Sequence, residues 1–310
     1  MRDAPPLHIA VAIPCYNSVD WIERTVTSVF DQGYAPLTVI LVDDGSSDGS
    51  AAKVRSLGGD VIVEEGPNRG ACAARNTGFE IARSKGADYI LFLDADDYLE
   101  GDMLAGAAHV AAQTGADMVM SNMHIEYEDG QRNERFLYSG EVLAAEFFEG
   151  WMETRYVNPS GLLWRMDLVE KVGGWDESLA RAQDIDITLR AMLLEPKVWK
   201  NDDGAAIHAQ VNAGSISRNV SYKATDSRLR VQERLLSQIN GTAFERFAPL
   251  LCREIYSIAR SAFQSGETEL GRRATALLQA QNYTTHPGTR AHKLVASVLG
   301  LETKVRLWGR

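Results

Sequence analysis

The first hundred residues alternate between short apolar runs and longer stretches in which apolar and polar positions mix. Short apolar runs bounded by turn residues are typical of buried strands, and the mixed stretches are typical of amphipathic helices. The pattern predicts strands at residues 8–14, 38–42, 60–64 and 89–93, and helices at residues 19–31, 50–57 and 70–85. Because strands that alternate with helices build parallel βαβ units, we expect a doubly wound α/β sheet.

The pattern changes after residue 100. A helix at 102–114 leads to a strand at 117–127, whose hairpin partner is expected at 132–138. Helical segments are then predicted at 141–151, 165–172, 184–194, 222–239, 243–263 and 267–281. Since nearly everything beyond Ser221 is helical, we expect a mixed α/β domain over residues 1–220 and a helical region over residues 221–310.

Composition narrows the class of protein. No apolar run reaches the roughly 18 to 20 residues of a membrane span, and the first residues do not form a signal peptide. The three cysteines, Cys15, Cys72 and Cys252, are widely spaced and contain no C-x-x-C pair, which is typical of reduced thiols. We therefore expect a cytoplasmic protein without a disulfide or a zinc site.

Charge is distributed unevenly. The net charge is -10, but residues 221–310 contain 14 Lys and Arg against 7 Asp and Glu, or +7, which leaves 18 against 35, or -17, for residues 1–220. An acidic body argues against general binding of nucleic acid, which requires a basic surface. The basic C-terminal region suggests contact with an anionic surface.

The segment ILFLDADD carries the strongest chemical signal. Asp94, Asp96 and Asp97 follow a buried strand directly, at the edge where open α/β sheets bind ligands. Mg²⁺ and Mn²⁺ prefer carboxylate oxygens and take their remaining ligands from phosphates and water. Asp96 is therefore the predicted metal ligand and Asp94 faces the ribose, while Asp97 either assists or caps the next segment.

Two other strand ends carry candidate side chains. Asp43 and Asp44 follow the second strand, where a carboxylate can accept a hydrogen bond from a base or a ribose, although an ordinary β-turn-α connection would look the same. Pro14 is expected to stop the pairing of the first strand, and Tyr16 offers a flat face to a nucleobase. In the GACAARNTG segment the small residues allow close helix packing, and Arg75 is either structural or near a phosphate.

Downstream motifs are ambiguous when each is taken alone. Asp184 stands in the first turn of a predicted helix, where it either caps that helix or accepts a proton at the mouth of a cleft. Trp151, Trp164 and Trp199 are assigned to packing.

Taken in order, seven motifs resemble glycosyltransferase family 2 with the GT-A fold. They are VAIPCYNS, VDDGSSDGS, NRGACAARNTG, FLDADD, GGWDE, AQDIDITLR and GSIS. The resemblance covers about residues 8–220 and implies a doubly wound mixed sheet with a nucleotide half over about 1–125 and an acceptor half over about 126–220. The helical region 221–310 is then a C-terminal appendage.

The resemblance implies inverting transfer from a nucleotide-diphosphate sugar, most often a UDP-sugar, with Mn²⁺ or Mg²⁺ held by Asp96. Asp184 matches the catalytic base of the family's Glu-Asp pair, and Trp175, Asp176 and Gln183 fall on the acceptor side. Trp175 would either stack on a sugar there or pack in the core. The implied nucleotide-sugar contacts are Pro14, Tyr16, Asn17, Asp43, Asp44, Arg75, Asp94 and Ala95. The acceptor would be a glycan or a lipid-linked glycan in cell-surface polysaccharide or glycolipid synthesis.

Two positions depart from the family pattern. Gln183 replaces the first acid of the Glu-Asp pair, which keeps the base but removes a neighbouring charge. Many relatives carry a His just before Gly214-Ser215, where this chain has Asn212-Ala213, with His208 four residues before Asn212. We expect His208 to be structural, and a metal or diphosphate contact from the loop at 212–217 is left open.

The C-terminal tail, residues 290–310, carries five basic residues and one acid among apolar ones. Such a stretch either lies on an anionic bilayer, which would place the enzyme at the inner face of the membrane near lipid-linked acceptors, or packs on the protein or on a second subunit. Oligomeric state, donor sugar and linkage are not encoded in any motif. Two rival functions remain: a nucleotidyltransferase, which usually has a Gly-rich basic loop that is absent here, and a nucleotide-sugar-binding protein without catalysis.

Overall fold

The computed structural model of the protein describes residues 6–135, 137–153, 155–210, 221–283, 301–303 and 305, and these contain ten strands and ten α-helices. The strands are β1 (Ile9–Cys15), β2 (Leu37–Asp43), β3 (Val61–Glu65), β4 (Tyr89–Phe92), β5 (Tyr98–Glu100), β6 (Met118–Tyr127), β7 (Arg132–Arg135), β8 (Glu141–Val142), β9 (Leu162–Arg165) and β10 (Val198–Gln210). The helices are α1 (Ile22–Phe30), α2 (Ser50–Ser56), α3 (Ala71–Ser84), α4 (Met103–Thr114), α5 (Ala144–Glu153), α6 (Met166–Val172), α7 (Gln183–Met192), α8 (Tyr222–Ile239), α9 (Ala248–Gln264) and α10 (Thr268–Ala280).

All ten strands join one sheet in the order β3-β2-β1-β4-β9-β6-β10-β5, with β7 added to β6 and β8 added to β10. Strands β1 to β4 pair in parallel, as βαβ units require. Strand β9 runs antiparallel to both β4 and β6, which makes the sheet mixed. The predicted doubly wound mixed sheet is confirmed, and so is the hairpin of β6 with β7.

Both faces of β1 are covered. Ile9, Val11 and Ile13 belong to one core cluster with residues of α1 and α4. On the other face α3 lies close to the strand: a Cβ atom added at Gly78 would stand 2.8 Å from the Cβ of Ala12. The small residues of α3 therefore permit the close packing that the sequence predicts.

Several elements differ from the prediction. Strands β5, β8, β9 and β10 were not expected, and α5 begins later than predicted because Glu141–Val142 pairs with β10 as β8. A 3₁₀ helix, Ala243–Phe247, precedes α9, whose first turn contains Pro249, a residue that starts a helix more readily than it continues one. The expectation that Pro14 stops the pairing of β1 is wrong: pairing with β2 continues through Pro14 to Cys15, and pairing with β4 already ends at Ala12.

The chain divides into two compact units. One comprises Met1–Glu177 and Arg190–Gly214 and contains the sheet, and the other comprises Ser178–Leu189 and Ser215–Arg310. The predicted boundary near residue 220 stays a prediction. None of the described helices has both the length and the apolar character that crossing a bilayer requires.

The second unit is helical. Helix α9 packs against α8 and α10 and buries Leu251, Ile255 and Ile258. Within this unit the buried Asp186 accepts a hydrogen bond from Arg234 Nη1 at 2.8 Å. In the tail, Leu301 and Val305 are buried and Glu302 pairs with Arg272. Residues 290–300, 304 and 306–310, like the loop at 212–217, lie outside the described residues.

Candidate active site

The candidate site lies where three parallel strands end side by side. Strand β1 stands between β2 and β4, so their carboxyl ends meet at one edge of the sheet. Asp43 closes β2, and the acidic turn Asp94–Asp97 follows β4. Strand order changes direction at β1, and the crevice at such a point is where open α/β sheets bind nucleotides.

The loop after β1 is fastened to the loop after β2. Asn17, whose φ is +50°, donates its backbone N–H to Ser46 Oγ, and its Oδ1 accepts the backbone N–H of Ser47, both at 2.9 Å. The Asn17 side chain is thus engaged in positioning the two loops. Tyr16, in contrast, is 54% exposed, so its ring presents an aromatic face to solvent beside the crevice.

Asp43 and Asp44 are both buried but have different partners. Asp43 Oδ1 accepts the backbone N–H of Ser46 at 2.7 Å, and Asp43 Oδ2 has no donor among the described residues. Both oxygens of Asp44 are occupied, by the backbone N–H groups of Arg69 at 2.7 Å and Gly70 at 2.8 Å. Asp44 therefore fixes the start of α3, while Asp43 keeps an oxygen for a ligand.

In the acidic turn, Asp94 is paired with a cation. Arg75 Nη2 donates to Asp94 Oδ1 at 2.6 Å, and the Asp94 backbone N–H donates to Ser160 Oγ at 3.3 Å. Ala95, the next residue, is buried, and its carbonyl accepts a hydrogen bond from Thr25 Oγ1 at 2.8 Å. Helix α1 therefore holds the turn from one side and α3 from the other.

Asp97 is fully buried and neither faces the crevice nor caps a helix. Its Oδ2 accepts hydrogen bonds from Ser160 Oγ at 2.6 Å and Asn158 Nδ2 at 3.1 Å, and its Oδ1 lies 3.0 Å from His208 Nδ1. The Ala209 backbone N–H adds a fourth contact at 3.3 Å. Both roles foreseen for Asp97 are thus replaced by a structural one: it joins the turn to β10 and to the 3₁₀ helix Pro159–Gly161.

The contact with Asp97 changes the pKa of His208. Burial would lower its pKa, but the hydrogen bond and the charge of Asp97 outweigh burial and raise the pKa from 6.5 to about 9. The imidazole is thus held as a cation beside a buried carboxylate. His208 and Asp97 form a salt-bridged pair that the sequence did not indicate.

Asp96 is compensated much less, since the charge of His208 lowers its pKa only slightly. Among the residues that the structure describes, no cationic side chain pairs with its carboxylate; Arg24 Nη2 reaches only its backbone carbonyl, at 3.2 Å. Burial, followed by the charges of Asp97 and Asp94, raises the Asp96 pKa from 3.8 to about 7. Arg24 was not singled out in the sequence, since nothing in the pattern of α1 marks it.

The GGWDE segment is attached to α3. Trp175 is 3% exposed, its ring packs edge-on against Phe92 with centroids 5.3 Å apart, and the Arg75 guanidinium lies 4.4 Å from its ring centroid. Such a buried ring has no face for stacking on a sugar, so of the two alternatives for Trp175 the structure favours core packing. Asp176 is half-buried in the same segment.

Gln183 and Asp184 belong to the second unit, in the segment Ser178–Leu189. They open α7, directly after Ala182, whose φ of +62° is unusual for a residue with a Cβ. Gln183 Nε2 donates to the Leu179 carbonyl at 2.8 Å, and Asp184 is half-buried in the first turn. The roles assigned to these two residues stay predictions.

Comparison with known proteins gives three consistent results. The family model described as "Glycosyl transferase family 2" matches residues 10–165. Glycosyltransferase AglE of Haloferax volcanii is 30% identical over 191 residues, which are 59% of this chain and 60% of that protein. The putative teichuronic acid biosynthesis glycosyltransferase TuaG of Bacillus subtilis is 32% identical over 149 residues, which are 46% of this chain and 57% of that protein. The matched part of the chain thus spans about 60% of the length of these relatives.

Among solved structures, the crystal structure of S. aureus TarS 1-349 in complex with UDP-GlcNAc is similar with a TM-score of 0.65 and 16% identity, over 97% of this chain and 92% of that one. A second crystal structure of the same fragment, in complex with UDP, has a TM-score of 0.66. At this level of identity the similarity establishes the fold, and it confirms the expected GT-A architecture.

Proposed function

The chain belongs to glycosyl transferase family 2, and we propose that it is an inverting enzyme that moves a sugar from a nucleotide-diphosphate sugar to a hydroxyl group of an acceptor. One observation carries this proposal. Asp43 ends β2, and Asp94 and Asp96 follow β4, so the three carboxylates stand at the carboxyl ends of the two parallel strands that flank β1, where such sheets bind nucleotides.

The proposed donor is a UDP-sugar. Tyr16 would stack on the base, Asp43 Oδ2 would accept a hydrogen bond from the base or the ribose, and Asp94 would face the ribose. Pro14, Asn17, Asp44, Arg75 and Ala95 would shape the crevice, Asn17 and Asp44 through the loops that they hold. The TarS complexes with UDP-GlcNAc and UDP support this choice of nucleotide.

A divalent cation, Mn²⁺ or Mg²⁺, is part of the proposal. Within the described ranges, no group of three or more His, Cys, Asp or Glu side chains is arranged to hold a metal ion. Asp96 still fits this role, because these ions often take only one or two carboxylates and complete their shell with phosphates and water. The raised pKa of Asp96 also reflects a crowding of negative charge that a cation would relieve. When bound, the ion would offset charge on the leaving diphosphate.

Asp184 is the proposed general base. It would take the proton of the acceptor hydroxyl while the oxygen attacks the anomeric carbon, and the bond to the diphosphate would break on the opposite side, which inverts the configuration. General-base catalysis of this kind contributes about 10²- to 10⁴-fold. The first turn of α7 favours an ionised carboxylate, and Gln183 adds no competing negative charge.

The proposed acceptor is a glycan or a lipid-linked glycan. The similarity to TuaG, a putative teichuronic acid biosynthesis glycosyltransferase, supports a role in cell-surface polysaccharide synthesis. Contact of the tail with the inner face of the membrane, and assembly with a second copy of the chain, stay open in this proposal.

A panel of nucleotide-sugars tests the proposal. We expect a UDP-sugar with Mn²⁺ to raise the melting temperature of the protein, because a ligand of the folded state stabilises it, and to be hydrolysed slowly to UDP. Asp96→Ala should lose the metal-dependent part of this stabilisation. Asp184→Asn should bind the donor as the wild type does but transfer and hydrolyse it poorly.

The same panel separates the rival functions. A binding protein without catalysis would be stabilised by a nucleotide-sugar that it never hydrolyses. A nucleotidyltransferase would release pyrophosphate from a nucleoside triphosphate. If no nucleotide-sugar stabilises the protein with either metal, the proposed function is wrong, and normal turnover by Asp184→Asn would remove that residue as the base.

A further inference from the structure

Asn76 fixes the backbone of Trp175. Its Nδ2 donates to the Trp175 carbonyl at 2.9 Å and its Oδ1 accepts the Trp175 N–H at 2.9 Å. The same Nδ2 also donates to Glu177 Oε1 at 3.0 Å. Gly174 makes room for this amide, since a Cβ at that position would lie 2.9 Å from Asn76 Oδ1. One side chain of α3 therefore pairs with both backbone groups of Trp175, as a neighbouring strand would.

The ring of Trp175 faces Arg75, the residue that precedes Asn76 in α3. The Arg75 guanidinium lies 4.4 Å from the ring centroid and is itself 6% exposed, so the contact is shielded from water. Phe92 supports the indole from the side at an interplanar angle of 84°. A cation above an aromatic face is attracted more strongly when both groups are desolvated. The ring thus forms a fixed aromatic surface against which the guanidinium packs.

Arg75, packed on the Trp175 ring, also contacts the acidic turn. Its Nη2 donates to Asp94 Oδ1 at 2.6 Å, and the two side chains are 7% and 27% exposed. A long arginine side chain has many rotamers, and packing against the Trp175 ring restricts it to few of them. The direction of the Asp94 carboxylate therefore depends on a contact between Arg75 and Trp175, which lies 100 positions further along the chain.

We propose that Trp175 is a positioning residue of the donor site, which orients the Asp94 carboxylate through Arg75 and does not contact the acceptor. This inference rests on the proposed function in one respect, namely that Asp94 contacts the donor nucleotide. It assigns the GGWDE segment to donor binding, whereas the motif order placed it on the acceptor side.

The first test does not involve a nucleotide. The coupling between Arg75→Gln and Asp94→Asn is measured by urea unfolding of the two single variants and the double variant, first with Trp175 present and then in a Trp175→Leu background. We expect a coupling of about fivefold in the folding equilibrium constant with Trp175 and near onefold with Leu, because the ion pair loses its fixed geometry. An equal coupling in both backgrounds would overturn the inference.

The second test measures the dissociation constant of UDP with Mn²⁺ by calorimetry. Trp175→Leu should weaken UDP binding about tenfold, and Trp175→Phe, which keeps an aromatic face, should bind within about threefold of the wild type. Once Arg75 is replaced by Gln, Trp175→Leu should add almost nothing. Trp164→Leu is the matched control, since Trp164 is equally buried and its loss should leave UDP binding within about twofold.

The outcomes separate the two levels of inference. If folded Trp175→Leu binds UDP as the wild type does, Trp175 does not position the donor site. If it retains UDP affinity and instead raises the KM of an acceptor, the residue belongs to the acceptor side after all. If the wild type binds no nucleotide, the proposed function is wrong, and the unfolding experiment alone decides whether Trp175 orients Asp94.

Discussion

Three aspartates in one turn have three electrostatic environments. Asp94 is compensated by Arg75, and Asp97 is compensated by four hydrogen-bond donors, one of them a cationic His208. Asp96 lacks a cationic partner among the described residues and sits beside both of the others. An uncompensated, partly buried carboxylate is costly to the fold. Such a cost is typical of a group whose counter-charge comes from a ligand.

Asp96→Asn should stabilise the ligand-free protein at alkaline pH. Burial and the charges of Asp97 and Asp94 raise the Asp96 pKa from 3.8 to about 7. Because the folded state holds this proton more tightly than the unfolded state does, the stability that the group contributes is present below pH 3.8 and is lost as the pH rises through about 7. At pH 8 the variant should be more stable by about 1 kcal/mol, a value reduced for the partial exposure of the group.

Urea unfolding at pH 5 and pH 8 checks this prediction. The difference in free energy of unfolding between wild type and Asp96→Asn should be smaller at pH 5, because most of the Asp96 carboxyl is then protonated in the folded state. Asp60→Asn, at an exposed position, serves as the control and should show the same difference at both pH values. A wild type as stable as the variant at pH 8 would contradict the prediction.

His208 should titrate near pH 9. Its folded pKa is about 9 and its ordinary value is 6.5, so the stability from its pairing with Asp97 is fully present below pH 6.5 and is lost as the pH rises through 9. NMR titration of the imidazole signals measures this pKa directly, and His208→Gln assigns the signal. Asp97→Asn should lower the pKa markedly, because burial is then opposed only by the weaker effects of Asp94 and Asp96. A wild-type value near 6.5 would exclude the ion pair.

At the scale of elements, the sequence does not predict the strands that lack a local apolar pattern of their own. Strand β10 contains the polar run Lys200–Gly204, which looks like a turn, and its pairing with β6 shifts register there. Strand β9 has only four residues and follows a 3₁₀ helix. Both exist because neighbouring strands offer them partners, and such tertiary pairing leaves little trace in a local apolar pattern.

The site residues that the sequence does not predict lie on the elements that it does not predict. Asp43, Asp94 and Asp96 follow strands that the apolar pattern marks clearly, so their common edge could be predicted. Ser160 and His208 belong to the 3₁₀ helix and to β10, and for that reason the pairing of Asp97 could not be foreseen. Trp175 was assigned from motif order, which gives no information about burial.

Gly78→Ala should destabilise the packing of α3 against β1. A Cβ at this position would lie 2.8 Å from the Cβ of Ala12, so the helix or the strand must move. Overpacking of this kind costs about 1–3 kcal/mol, which outweighs the gain in helix propensity. Urea unfolding measures the loss. Gly66→Ala is the matched control, because a Cβ there meets open space, and an equal effect of the two substitutions would contradict close packing.

At the scale of the whole molecule, charge and helical structure both change near residue 220. The acidic part carries the predicted donor site, whose charge suits a metal ion with a diphosphate, whereas residues 221–310 carry a net +7. Separated charge of this size influences which ligands approach each part, and its effect falls with ionic strength. The basic tail could contact either an anionic bilayer or a protein surface.

Leu301→Ala decides which of these two surfaces covers the tail. Leu301 is 3% exposed and its neighbour Glu302 pairs with Arg272 of α10, so the side chain is buried in protein without any membrane. Truncating it should lower the free energy of unfolding in buffer by about 2 kcal/mol, the lower end of the cost of such core substitutions. The matched control is Leu194→Ala, at a position 50% exposed, which should change it by less than about 0.5 kcal/mol.

The same assignment predicts that the intact protein and a version ending before Arg290 behave alike in flotation with anionic liposomes, because apolar residues that are buried in protein cannot enter a bilayer. The shortened protein should instead melt at a lower temperature, since it loses Leu301, Val305 and the Glu302 pair. If Leu301→Ala is as stable as the wild type and only the intact protein floats, the tail lies on the membrane, and the lipid-linked acceptor would then be the one that the enzyme meets there.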